Sequence, residues 1–304
     1  MAINYVTKDN MGATLDRAII QGLITTELET PNVNWFNGGK EFTVRSISTS
    51  GSKPHTRNKG WNAGTFADAK ESFTLTQDRD IEFYVDQQDV DETNQELSMA
   101  NISKVYFDEH VIPEIDSYRF SKLATIAKTT AQGGATIKAG YKEEDVDKSS
   151  VYSALKDGLK QVRQYGSQNV IGYVSSDVMD ALERSTEFTR SITNQNIGTT
   201  ALDSRVTSVD GVVLKEVFAA DRFYDKFDFA DGVKKASDAK ALNFVLVVKP
   251  NVIAKVKEQA VYLWAPGQHT EGDGYLYQNR YYHDLFMTAK KVDGLYVSAA
   301  TAAK

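Results

Sequence analysis

Leu75-Thr76-Gln77-Asp78-Arg79-Asp80-Ile81-Glu82-Phe83-Tyr84-Val85-Asp86-Gln87-Gln88-Asp89-Val90-Asp91-Glu92-Thr93 is the stretch on which the fold turns. Within it Ile81, Phe83 and Val85 recur every second residue, the period of a strand. Asp91 and Thr93 then offer helix N-caps, Glu92 and Glu96 suit a first turn, and a helical pattern runs on to Ala131. Upstream, Phe42 and Val44 alternate with Thr43 and Arg45, and Phe73 and Leu75 repeat the pattern, so Lys40 to Asp86 reads as one two-stranded finger. Its tip, Ser50 to Thr65, holds Gly51, Pro54, Gly60 and Gly64 and one large apolar side chain, Trp61. Neither element buries itself. A lone hairpin is marginal in water, and a straight helix from Asp91 to Ala131 would reach about 60 Å. The chain therefore reads as a building block of a large assembly.

Charge is sorted along the finger. From Phe42 to Ala67 there are four cations (Arg45, Lys53, Arg57, Lys59) and no acid, whereas Asp78 to Glu92 carries Asp78, Asp80, Glu82, Asp86, Asp89, Asp91 and Glu92 against Arg79 alone. A tip can hardly fold back onto its own base, so the complementarity points to the tip of one copy meeting the base of another and setting register there. The alternative is two solvated charge runs.

In the helix, Ile102, Val105, Val111, Ile112, Ile115, Tyr118, Leu123 and Ile126 form an apolar stripe opposite Lys104, Asp108, Glu114 and Lys122, the pattern of a helix lying across a surface. Pro113 is expected to kink it near His110, and Gly133 and Gly134 to end it. Residues 1–35 hold a short helical pattern (Leu15, Ile19, Ile20, Leu23, Ile24) before Pro31 and read as an arm, packed either on its own chain or on a neighbour.

Beyond a charged linker, Tyr141 to Ser150, comes a helix carrying Leu155, Leu159 and Val162, then a buried strand at Asn169 to Val174. Ser176 is the expected cap of another helix through Leu182, and Asp210-Gly211 signals a two-residue hairpin turn. This is an alternating α/β region. The last third returns to strand at Phe244 to Val248, ended by Pro250, with a second hairpin signal at Asp293-Gly294. Between them Tyr262, Trp264, Tyr275, Tyr277, Tyr281, Tyr282 and Phe286 crowd around an acidic loop, Gly267 to Gly274, a density that means core or interface.

Composition narrows the function. With 304 residues, 41% of them hydrophobic, the chain can fill two ordinary cores. No run of eighteen apolar residues and no secretory signal is present, so a soluble protein made inside a cell is expected. Cysteine is absent, which removes disulfides, thiolate nucleophiles and cysteine-held metals. The net charge of −6 argues against a protein whose main task is gripping nucleic acid. His55, His110, His269 and His283 lack zinc spacing, and no phosphate loop, dinucleotide fingerprint or nucleophile elbow occurs. Asp86, Asp89, Asp91 and Glu92 lack the glycine and terminal glutamate of a calcium loop, and Asp273 has no better standing, so they read as a solvated face. No enzyme activity, cofactor or metal is expected.

The order of arm, finger, long helix, inserted α/β region and closing strands resembles the major capsid proteins of tailed bacteriophages, with the Hong Kong 97-type fold. The stretches that carry the resemblance are Leu75-Thr76-Gln77-Asp78-Arg79 with Phe83-Tyr84-Val85-Asp86 and Asp89-Val90-Asp91-Glu92-Thr93, then Val111-Ile112-Pro113-Glu114-Ile115-Asp116-Ser117-Tyr118-Arg119, and Arg280-Tyr281-Tyr282-His283-Asp284. It implies an α+β fold with an N-terminal arm (1–35), an extended β-hairpin loop (36–85), a peripheral domain with the spine helix (86–135 and 241–304) and an inserted α/β axial domain (136–240). The implied function is self-assembly into pentamers and hexamers of a closed icosahedral shell around double-stranded DNA, in a virion assembled in the host bacterial cytoplasm. Implied partners are other copies, a portal, a separate scaffolding protein, DNA contacted without sequence preference and, optionally, a decoration protein, with no membrane. The basic finger would lie on a neighbour's peripheral domain, noncovalently. Candidate interface residues are thus Lys53, Arg57, Lys59, Trp61, Asp78, Asp80, Asp86, Asp89, Asp91, Glu92, His269 and Arg280. An encapsulin shell, a tail-tube protein and a soluble enzyme with a large cleft are the alternatives.

Overall fold

Leu75 and Thr76 are where the chain changes sheets in a computed structural model, which describes residues 21–30, 41–55, 61–92, 98–133, 136–185 and 208–303. Strands β1 (Glu41–Thr49) and β2 (Phe66–Thr74) pair antiparallel without a bulge, from Glu41↔Thr74 to Thr49↔Phe66, as a ribbon of about 30 Å. The next strand, β3 (Gln77–Asp86), belongs to another sheet. The finger thus ends at Thr74 and not at Asp86, because Leu75 is buried and the backbone N–H of Thr76 donates to Asp284 at 3.0 Å, which turns the chain into the body.

The expected single long helix is divided. Helix α1 (Gln87–Glu92) follows β3, so Asp91 lies inside a short helix, and Thr93 lies outside the described residues. Helices α2 (Met99–Tyr106) and α3 (Ile112–Gln132) then run on through one wide π-type turn, Phe107–Val111, in which Ile112 N–H reaches back to Phe107 O. Pro113, second in α3, explains the wide turn: it has no N–H to give and its ring crowds the carbonyl four residues back. From Glu114 to Ser121 every residue of α3 is buried, so this part is wrapped and does not lie across a surface. The polar members are accommodated by pairing: Glu114 with Arg79, Asp116 with Arg222, Arg119 with Glu29.

Strand β4 (Gly140–Glu143) overlaps the start of the expected linker. After it come α4 (Val151–Val162), β5 (Val170–Ser175), α5 (Ser176–Glu183), β6 (Ser208–Val209), β7 (Val212–Val217), β8 (Phe227–Asp228), β9 (Lys234–Lys235), β10 (Lys240–Val248), β11 (Val252–Trp264), β12 (Gly274–Met287) and β13 (Leu295–Ala303). Ser175, one residue before the expected cap, accepts from Val178 N at 3.3 Å. Asp210 and Gly211 both take positive φ and join β6 to β7, the turn expected there. Asp293-Gly294 makes no hairpin, since β12 and β13 enter different sheets. Gly294 is instead set so close to Val248 and Asn251 that a Cβ has no room.

A six-stranded mixed sheet, order β4-β13-β10-β5-β7-β6, holds the main core. Central β10 is buried on both faces: Val245 and Val247 meet Phe120, Leu123 and Ala127 of α3, while Phe244, Leu246 and Val248 meet Leu155, Leu159 and Leu182 of α4 and α5. That double burial is why Phe244 to Val248 reads as an unbroken apolar run. β10 and β13, which the resemblance assigns to the peripheral domain, pair with β5 and β4 in this sheet. A second, three-stranded sheet, order β11-β12-β3, packs Phe83, Val85, Tyr275 and Tyr277 against Met99 and Ile102 of α2.

Candidate assembly interface

The finger is gripped at its root. Phe42 and Phe73, paired across the ribbon, pack on Phe286 of β12 with ring centroids 5.5 and 5.0 Å away. Beside them the Asp284 carboxylate, 1% exposed, accepts from Thr76 Oγ1 (2.7 Å) and Tyr118 Oη (2.8 Å), with Lys122 Nζ at 3.9 Å. Burial first, then Asp284, pushes the Tyr118 phenol up. One turn earlier on α3, Arg79 of β3 grips Glu114 with Nε and Nη2 and gives Nη1 to Phe229 O at 2.7 Å. The buried His283 ring lies 3.5 Å from the same carboxylate. Burial raises the Glu114 carboxyl, but His283 and Arg79 together outweigh it and hold it below the ordinary value.

Past this root the ribbon is wetted on both faces: in β1 only Phe42 is buried, and in β2 no residue is. Ile47, Phe66 and Trp61 are exposed, Trp61 at 97%. Alternation puts Arg45, Lys70, Ile47 and Phe66 on one ribbon face, with Arg45 3.4 Å from Asp68. Lys53 is exposed in the tip, where Asn62 Nδ2 donates to its carbonyl (3.4 Å) and to that of Pro54 (2.9 Å). Arg57 and Lys59 lie outside the described residues.

Asp78, Asp80 and Glu82 form an exposed row on one face of β3. Arg280 forks onto Asp78 (3.0 and 2.8 Å) and lies over the Tyr282 ring, so Asp78 and Arg280 answer each other within one sheet. Asp86 caps the start of α1 through Gln88 N at 2.9 Å, and Asp89, Asp91 and Glu92 follow on that helix. His269 is held in its own loop: Nδ1 accepts from Glu271 N (3.2 Å), which leaves Nε2 to donate to Gly274 O (2.7 Å), with the ring edge-on to Tyr84. The charged candidates thus gather on the three-stranded sheet and α1, with the finger tip apart from them.

One surface was not read from the sequence as a candidate. At the end of β11, Val261, Tyr262, Leu263 and Trp264 are 47, 52, 61 and 37% exposed, so both faces of this strand end meet water. Tyr262 and Trp264 were visible as aromatics of core or interface. Four consecutive apolar residues beyond Lys255 and Lys257 were the signal for the rest. A cavity of about 530 Å³ beside the start of α3 sets Glu109, Glu114 and Asp221 against His110, Arg222 and Lys235, which favours no single ligand charge. Among the described residues no group of His, Cys, Asp or Glu is placed to hold a metal ion, and no helix is long and apolar enough to cross a membrane.

No protein-family model matches the chain, and no curated protein matches it. Solved structures do. A chain of the bacteriophage PhiM1 mature capsid superposes with a TM-score of 0.68 at 13% identity, covering 97% of this chain and 92% of that one. The capsid of Cyanophage P-SCSP1u gives 0.66 at 14% identity, with 98% and 94% covered, and the capsid of a native GTA particle 0.59 at 12%, with 98% and 96% covered. At these identities the likeness is one of fold, and it runs almost from end to end. The chain therefore has the α+β fold of the subunits from which these phage and GTA capsids are built.

Proposed function

We propose that this chain is the major capsid protein of a tailed phage, a shell subunit that assembles into a closed icosahedral head around double-stranded DNA. The observation that carries the reading is the finger: a ribbon gripped at its root, with Ile47, Phe66 and Trp61 exposed, on a fold shared along nearly its full length with capsid chains. A surface this apolar on an isolated hairpin is satisfied by a partner. The finger lies on a neighbouring copy, and many weak contacts repeated by symmetry hold the shell without covalent links. In domain terms, residues 1–35 act as an arm, the finger as the extended loop, α2 and α3 as the spine of a peripheral domain, and the region around α4, α5 and β5 as the axial domain. The portal, a separate scaffolding protein and non-specifically bound DNA are the remaining partners, and assembly takes place in the bacterial host. Mild net acidity fits a wall that must release its genome, whose charge counterions neutralise.

Electron microscopy of the protein, expressed with and without its neighbouring genes, tests this. Closed isometric shells are expected in the presence of those genes. Tubes, or a small oligomer that only a ligand stabilises, would overturn it.

A further inference from the structure

The loop 265–273, which joins β11 to β12, is built around one histidine. Gln268 N donates to Ala265 O at 3.0 Å, and Ala265 N donates back to Gln268 Oε1 at 3.2 Å. Gly272 takes positive φ and lies so close to Tyr84 that a Cβ there would meet the hydroxyl at 2.6 Å. At the loop's end Asp273 O accepts from Gln87 N at 3.3 Å, which ties the loop to the first turn of α1. His269 is half-buried among these contacts, edge-on to Tyr84 with ring centroids 6.1 Å apart.

Backbone groups engage both ring nitrogens. A carbonyl oxygen only accepts, so Nε2 carries the proton toward Gly274 O (2.7 Å), and Nδ1 offers its lone pair to Glu271 N–H (3.2 Å). The neutral ring protonated on Nε2 is the one form that satisfies both. A further proton on Nδ1 would face the Glu271 N–H, donor against donor, while the Nε2 bond survived. Partial burial first, then the charges of Asp86 in β3, Asp273 in the loop and Asp89 in α1, push up the phenol of Tyr84, the ring that meets His269. With Glu271, these acids are the charged groups that face the histidine from the loop, β3 and α1. An imidazolium that loses its backbone partner has a carboxylate to turn to.

We propose that His269 is a proton-operated pin: neutral, it holds the loop 265–273 against β3 and α1, and protonated, it drops the Glu271 N–H, swings Nδ1–H to a carboxylate and loosens the loop. The pin is set above the range in which an imidazole gains charge and is released as pH falls through that range. The loop continues directly from the exposed Tyr262 and Trp264, so acid reshapes the surface beside them. The pin is a property of the single chain and does not depend on the shell reading.

Hydrogen exchange of the unassembled full chain, resolved to single amides and corrected for the intrinsic pH dependence of exchange, tests it. Protection of the Glu271 amide is expected to fall about fivefold between about pH 8 and about pH 5, as for the loss of one hydrogen bond. His269→Gln offers an acceptor and a donor but takes up no proton, and is expected to show no such fall. Constant protection in the natural chain, or an equal fall in His269→Gln, would overturn the pin. Ring nitrogen chemical shifts check the geometry independently. At about pH 8 the proton is expected on Nε2, and a neutral ring protonated on Nδ1 would overturn the assignment.

Discussion

Asp116 has no exposed surface, yet its carboxylate accepts from Ile24 N (3.1 Å), Thr25 N (3.1 Å), Thr25 Oγ1 (2.8 Å) and Arg222 Nη1 (3.2 Å). It caps the turn Ile24–Leu28 from a helix far along the chain, and so fastens the N-terminal segment to α3. Burial pushes this carboxyl up, against the pull of its donors and of Arg222. Removing it strands Arg222 in the interior, so Asp116→Ala is expected to cost about 3–5 kcal/mol in denaturant unfolding of the subunit. A loss under about 1 kcal/mol would show that Arg222 is hydrated instead. Glu114 carries the opposite sign. Its folded pKa lies below the unfolded value near 4.5, so its stabilisation is full above that value and is lost as pH falls through the lower, folded one. The stability of the natural protein over Glu114→Gln should therefore be constant from neutral pH down to about 5 and shrink below it. A difference independent of pH would remove the charge from the account.

At the scale of elements, the finger is joined to the body by the Phe42–Phe73–Phe286 cluster, by Asp284 and by Glu71, whose carboxylate accepts from Ala289 N, and the wide turn in α2–α3 lies over the same sheet. A rigid root with a bare ribbon allows the tip to be altered without disturbing the subunit. Lys53→Glu, Arg57→Glu and Lys59→Glu together are expected to cut shell yield while circular dichroism stays unchanged. Single exposed ion pairs contribute only about 0.2–1 kcal/mol. Three such pairs in every copy sum to about 0.6–3 kcal/mol, a range around the roughly 1.4 kcal/mol that changes an equilibrium tenfold. Unchanged yield and thermal stability of shells would reduce these cations to a solvated face.

For the whole molecule, local pattern was enough wherever burial follows one period. The finger strands, the apolar run of β10 and the Asp210-Gly211 turn were legible because alternation, double burial and positive φ each leave a mark within a few residues. The need for a partner was legible too, since no arrangement of a lone ribbon covers Ile47, Phe66 and Trp61. Legibility failed where long-range pairing decides. Leu75 and Thr76 look like the middle of a strand, and only Asp284, distant in sequence, turns them into a corner. Glu114 reads as part of the polar side of the helix, and only Arg79 makes its burial tolerable, as Arg222 and Glu29 do for the buried Asp116 and Arg119. Asp293-Gly294 has the residues of a hairpin, but the partner strand on offer is β10. The bare end of β11 shows the same division, because exposure depends on which neighbour stops short. By itself the sequence determined the finger strands, the apolar run of β10, the Asp210-Gly211 turn and the order of strand-rich and helix-rich regions, all set by near-neighbour sterics and hydrophobic periodicity. The tertiary structure alone decided which charges are buried and which edges stay open, because a partner's distance in space is not encoded in its distance along the chain.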